Sequence, residues 1–153
     1  SAVSFSDCCE PIITLKTPAS SAEKLMRSRF SAYAVKNAQY IYDTYATITQ
    51  KSQSVEDIQQ WADECQWLAL EIHQSTEKLV EFSAYYIADQ NLCALREKSN
   101  FEKENGKWRY VDGDVTQSEV ICKVKRNELC PCNRYPTAIT LKKGKKYKHC
   151  CGR

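Results

Sequence analysis

Phe101-Glu102-Lys103-Glu104-Asn105-Gly106-Lys107-Trp108-Arg109-Tyr110-Val111-Asp112-Gly113 carries an Asn-Gly pair near its centre, between two runs of strand-forming residues. Asn-Gly suits a two-residue type I′ turn, because both central residues of that turn need positive φ. The pair lies between a strand candidate, Leu92 to Lys103, and the run Trp108-Arg109-Tyr110-Val111-Asp112. The stretch therefore reads as a β-hairpin with its tip at Asn105-Gly106.

Upstream the same period of two continues. Val80, Phe82, Ala84 and Tyr86 recur at every second position, and Leu68, Leu70 and Ile72 alternate with Trp67, Ala69, Glu71 and His73. Together these runs predict a four-strand antiparallel meander over roughly residues 66–115.

Before Gln66 the period is that of a helix. Ser20-x-x-Glu23 is a capping-box pattern, followed by Met26, Phe30, Tyr33 and Asn37 at helical spacing. Asn37 can cap a second helix, Ala38 to about Thr49, that packs through Tyr40, Ile41, Tyr45 and Ile48. Ser54 starts a third, carrying Ile58, Trp61, Ala62 and Cys65 at i, i+3, i+4 and i+7. Helices followed by an antiparallel meander specify an α+β fold, with the helices covering one face of a curved sheet.

Of nine cysteines in 153 residues, four fall in the basic tail: Cys130 and Cys132 flank Pro131, and Cys150 adjoins Cys151. Tetrahedral zinc with Zn–S near 2.3 Å needs sulfurs about 3.7 Å apart, and either close pair can span one such edge. Pro131 pre-sets the backbone of the first pair, and Gly152 permits a tight turn after the second. The competing readings are a pair of disulfides and four merely buried thiols. Nothing at the start of the sequence resembles a secretory apolar segment, and in the cytoplasm, the expected location, close cysteines favour metal.

Charge divides the chain. Ten Lys/Arg against Glu128 alone fall in 123–153, leaving twelve basic and eighteen acidic residues in 1–122. A tail of about +9 on a body of about −6 calls for an anionic partner, RNA or an acidic protein surface, unless the lysines simply solvate a small module.

Two resemblances follow from these residues. Arg126-Asn127-x-x-Cys130-Pro131-Cys132 with Gly144-Lys145-Lys146-Tyr147-Lys148-His149-Cys150-Cys151-Gly152 resembles the SEC-C motif, the zinc knuckle at the C-terminus of the SecA translocase. The resemblance implies Cys130, Cys132, Cys150 and Cys151 as zinc ligands, with His149 outside the first shell. The departure is a long loop, residues 133–149, between the ligand pairs. Leu25-Met26-Arg27-Ser28-Arg29-Phe30-x-x-Tyr33 together with Phe101-x-Lys103-Glu104-Asn105-Gly106-x-Trp108-x-Tyr110-x-Asp112-Gly113 resembles the YchJ family. Those bacterial proteins place a cone-shaped domain, similar to nuclear transport factor 2 and also described as cystatin-like, between two SEC-C motifs. Phe5-Ser6-Asp7-Cys8-Cys9 echoes Tyr147-Lys148-His149-Cys150-Cys151 and reads as a remnant of the first knuckle, not metallated by two thiolates alone. The expected organisation is a remnant knuckle in 1–16, the cone domain in 17–122 and the SEC-C motif in 123–153.

The polar candidates for a site in the cone are Arg27, Arg29, His73, Glu97 and Asp112. Arg29 and Glu97 could form a buried pair across the helix–sheet seam. No nucleophile–base pair, phosphate loop or helical histidine pair is present, so the expectation is a protein that is not an enzyme. The leading function is a zinc-binding adaptor that docks a protein partner, as SEC-C in SecA binds the SecB chaperone, with Tyr135, Ile139 and Tyr147 as anchors. The alternatives are RNA or ribosome binding through Lys142, Lys143, Lys145, Lys146 and the tail tyrosines, and small-molecule binding or catalysis in the cone pocket. A deep pocket with convergent Arg, Glu and Asp side chains would favour the last.

Overall fold

The structure, a computed structural model, describes residues 5–14, 16–135 and 144–153. The loop residues 136–143, which include Ile139, Lys142 and Lys143, lie outside the described residues. Two short helices, α1 (Phe5–Cys8) and α2 (Glu10–Ile13), precede α3 (Ala22–Ala34), α4 (Ala38–Asp43), α5 (Thr47–Gln50) and α6 (Val55–Glu64). Four strands follow: β1 (Cys65–Ser75), β2 (Leu79–Ala88), β3 (Asn91–Glu104) and β4 (Lys107–Lys123). They pair antiparallel in the order β1-β2-β3-β4, the meander that the alternation predicts. Asn105 and Gly106 both adopt positive φ, 51° and 78°, at the β3–β4 tip.

Three side chains start the helices. Ser21, one residue later than the capping-box reading places it, accepts from the Lys24 amide. Asn37 accepts from Tyr40 N and Ser54 from Asp57 N, each at 3.1 Å. Each satisfies an amide that the first helical turn leaves without a carbonyl.

The second helix ends sooner than the periodicity predicts. Thr44 Oγ1 bonds back to the Tyr40 and Ile41 carbonyls, and the chain then runs beside β4, with Tyr110 N donating to Thr44 O and Ala46 N to Tyr110 O. A strand-like bridge between Tyr45 and Tyr110 replaces one helical turn. Tyr40, Ile41 and Tyr45 are buried as expected, whereas Ile48, beyond the break, is exposed.

The sheet is apolar on both faces. Met26 and Phe30 of α3 pack on the inner face, where Trp67, Leu70, Val80, Phe82, Ala84, Tyr86, Phe101 and Trp108 gather. A bulge between Trp67 and Ala69 breaks the alternation of β1, so Trp67 and Leu70 share the inner face while Leu68 and Ala69 turn outward. There they join Ile87, Leu92 and Val124 in a second cluster, which contains Cys130, Cys132 and Cys150. The cysteine module thus covers the part of the outer face around Leu68, Ile87 and Leu92.

Candidate metal centre

Cys130 ends an extended segment, and Pro131 opens the 3-10 turn Pro131–Arg134 that carries Cys132. Cys150 and Cys151 follow a second 3-10 turn, Tyr147–His149. An antiparallel bridge between Leu129 and Lys146 holds the two segments together, with Cys130 N donating to Lys145 O and Tyr147 N to Glu128 O, both at 2.9 Å. Asn133 pins both ends of the intervening loop. Its Nδ2 donates to Cys130 O, and its Oδ1 accepts from Gly144 N at 2.6 Å. A long insertion between the ligand pairs therefore leaves the pairs in place, because its ends are tied at Asn133. Asn133 was not among the residues singled out from the sequence; its position directly after Cys132 is the only local signal.

The four Sγ atoms of Cys130, Cys132, Cys150 and Cys151 all lie within 4.8 Å of one another. Cys132 and Cys150 are 3.6 Å apart, Cys150 and Cys151 3.9 Å. Those separations match the ~3.7 Å edge of a tetrahedral thiolate site and are far beyond a disulfide bond of about 2.05 Å. Without a cation, forming thiolates here carries a penalty: burial first, then the neighbouring thiols, pushes the Cys132 thiol up to about 12 and the Cys151 thiol higher still. A divalent ion removes that penalty by binding the thiolate forms. The donor set fits a metal, and the group that could hold one contains no histidine.

The module is bonded to the sheet. Tyr147 Oη donates to Gln66 Oε1 at 2.9 Å, and Gln66 Nε2 donates to the Cys151 carbonyl. Tyr135 stacks on Tyr85 with centroids 4.3 Å apart. Gly152 lies under the Tyr147 ring, where a Cβ would come within 2.6 Å of it. Close approach, more than a turn, is what requires glycine there.

The remaining candidates separate. Arg27 makes a surface pair with Glu23. Asp112 accepts from Asn100 Nδ2 on the exposed side of the hairpin. His73 lies on the outer face, its Nε2 2.7 Å from Ser83 Oγ and its Nδ1 3.8 Å from Glu71. Arg29 and Glu97 do not pair directly. Arg29 lies against the mutually perpendicular Tyr45 and Tyr110 rings, 4.3 and 4.7 Å from their centroids, and donates to Ile41 O and Thr44 Oγ1. Glu97 instead accepts from Tyr110 Oη at 2.5 Å and from Ser99 Oγ at 2.8 Å. The helix break at Thr44 makes the difference, because it presents the Ile41 carbonyl to the guanidinium and inserts Tyr110 between the two charges.

Comparison with known proteins agrees with this architecture. The family described as YchJ, middle NTF2-like domain, matches residues 21–113. A UPF0225 protein of Actinobacillus succinogenes is 35% identical over 99% of this chain and 93% of its own length. The chain belongs to the YchJ family. A Vibrio cholerae UPF0225 protein is 36% identical over 97% of the chain and 93% of its own length. Among solved structures, a SEC-C motif containing protein from Rhodopseudomonas palustris superposes with a TM-score of 0.72 at 31% identity, covering 76% of this chain and 95% of that one. One from Psychrobacter arcticus covers 99% of this chain and 89% of its own, with a TM-score of 0.63 at 30% identity. The YchJ core and the SEC-C-like cysteine cluster account for both resemblances seen in the sequence.

Proposed function

We propose that this YchJ-family chain is a zinc-binding, non-enzymatic adaptor of the cytoplasm, whose SEC-C knuckle (residues 123–153) presents a rigid docking surface to an acidic protein partner. Cys130, Cys132, Cys150 and Cys151 hold zinc as four thiolates, and His149 stays outside the first shell. The observation that supports the reading is the four-sulfur cluster with tetrahedral spacing, three of its cysteines buried, packed against the sheet. Leu129 projects 60% exposed from the bridge beside that cluster, and Lys125, Arg126, Lys145, Lys146 and Lys148 surround it in the chain. An apolar anchor with a basic rim is the pattern of a protein interface, in which the anchor supplies affinity and the charges supply rate and selectivity.

RNA binding is the second reading, and the tail tyrosines weigh against it. Base stacking needs free aromatic faces, whereas Tyr135 is stacked on Tyr85 and Tyr147 lies against Gly152. For the same reason these tyrosines brace the knuckle, and Leu129 takes over as the partner anchor. Among the described residues no helix is long and apolar enough to cross a membrane.

The experiment is a pulldown from a bacterial lysate with the zinc-loaded chain, its Leu129→Glu variant, and labelled RNA titrated at two salt concentrations. An acidic protein captured by the wild type and lost with Leu129→Glu, alongside weak RNA binding, is the expected result. Sub-micromolar RNA affinity with a steep salt dependence, unaffected by Leu129→Glu, would replace it with the nucleic-acid reading. Elemental analysis finding no zinc in reduced protein refutes the metal assignment.

A further inference from the structure

A cavity of about 140 Å³ lies on the inner face of the sheet, on the side opposite the knuckle, lined by Arg29, Tyr33, Trp67, Glu97 and Tyr110 among others. Its polar groups are left incomplete by the protein. Arg29 is only 3% exposed, yet no carboxylate among the described residues lies within ion-pair distance of it. Two of its five N–H groups, both on Nη1, are used by Ile41 O and Thr44 Oγ1. Those on Nε and Nη2 have no partner among the described residues. Buried charges are normally paired, because desolvation is otherwise uncompensated.

Glu97 is incomplete in the complementary sense. Tyr110 and Ser99 both donate to Oε1, and no described residue donates to Oε2. Trp67 also lines the cavity, through its ring; its indole N–H is buried and has no acceptor among the described residues. Tyr33 and Tyr110 remain neutral: burial first, then Tyr45 for one and Glu97 for the other, pushes both phenols well above their ordinary value.

We propose that this cavity binds a small zwitterion of the α-amino-acid type, its carboxylate on Arg29 and its ammonium on Glu97. The two charges suit one another's distance, because both flank the same ring: Arg29 lies over the Tyr110 face, and Glu97 accepts the Tyr110 hydroxyl. A simple carboxylate would meet Glu97 as a like charge, and a simple amine would meet Arg29. Only a molecule carrying both groups completes both sites. Tyr33, Trp61 and Phe82, which also line the cavity, offer aromatic faces to the ammonium and to a short apolar side chain. An engineered cavity of about 150 Å³ takes benzene, so the space suits about six to eight heavy atoms.

The site is independent of the knuckle reading, and its test is read without a partner. The full zinc-loaded chain, ¹⁵N-labelled, is titrated with glycine, L-alanine and L-serine, and separately with acetate and ethylammonium. The protein has three tryptophans, so its indole N–H signals are few, and Trp67→Phe assigns the relevant one. At least one amino acid should shift the Trp67 indole signal, while the two half-ligands require at least about tenfold higher concentration. Glu97→Gln keeps an acceptor for Tyr110 and so preserves the fold, which circular dichroism checks. It should weaken amino-acid binding by about tenfold or more and improve acetate binding. No indole shift with any of the three acids at about 10 mM, equal affinity for acetate and alanine, or unchanged binding in Glu97→Gln would each overturn the proposal.

Discussion

Tyr147 donates its hydroxyl to Gln66 Oε1 across 2.9 Å, and Gln66 returns a hydrogen bond from Nε2 to the carbonyl of Cys151. One amide at the start of β1 therefore holds the last turn of the cysteine module by two bonds. Replacing Gln66 with Ala should cost about 1–3 kcal/mol, the range for two such bonds. The check is amide exchange: residues 144–153 should lose protection, while the centre of β2 keeps it.

Gly152 and Gly144 form a matched pair. A Cβ at Gly152 would stand 2.6 Å from the Tyr147 ring, so Gly152→Ala must displace that ring and loosen the Gln66 bond with it. Gly144 has φ +78° and nothing within 4 Å of a Cβ, so Gly144→Ala strains only the backbone. The expected losses are about 1–3 kcal/mol for the first and about 1 kcal/mol for the second. Only Gly152→Ala should accelerate metal release to a chelator. Equal release rates would contradict the packing argument.

Metal removal should uncover the sheet. Site binding in small structural zinc modules is worth on the order of 10 kcal/mol and is coupled to their folding. Here Cys130, Cys132 and Cys150 share a cluster with Leu68, Ile87 and Leu92. Chelation should therefore disorder the tail, raise binding of an apolar dye and lower the melting temperature, while the helical circular-dichroism signal persists. A dye signal unchanged by chelation would show that the outer face stays covered without metal.

Glu104 gives a pH-dependent test. Its carboxylate accepts from the Thr47 amide and hydroxyl at 2.9 and 2.8 Å, and these bonds hold it below the ordinary carboxylate value of 4.5. A depressed folded value means that the contribution is fully present above about 4.5 and is lost as pH falls through that lower value. The stability gap between wild type and Glu104→Gln should be constant near neutrality and shrink on acidification. Paired denaturant titrations at pH 7 and pH 3 measure it.

Local chemistry was legible in the sequence, and juxtaposition was not. Asn105-Gly106 names its own turn, Asn37 and Ser54 name their own caps, and the cysteine pairs announce a four-sulfur cluster, because each signal spans only a few residues. The bulge at Leu68 was hidden, since an alternating run looks the same until one residue is slipped. So was the break after Asp43: Thr44 and Tyr45 continue a helical pattern well, and only the bridge to Tyr110, 65 positions later, overrides it. That same bridge separates Arg29 from Glu97, which sequence reasoning paired directly. The apolar outward positions Leu68, Ile87 and Leu92 were the available sign that the second face of the sheet is also covered.

The outer-face cluster also has a consequence for how such chains diversify. A cysteine module joined to its host by a linker alone could be exchanged without disturbing it. This one shares buried side chains with its host, so the two halves evolve under one constraint. A substitution at Leu68, Ile87 or Leu92 is tolerated only with an answering change near Val124, Tyr135 or Tyr147, and grafting the module from another family onto this sheet would leave a mismatched seam.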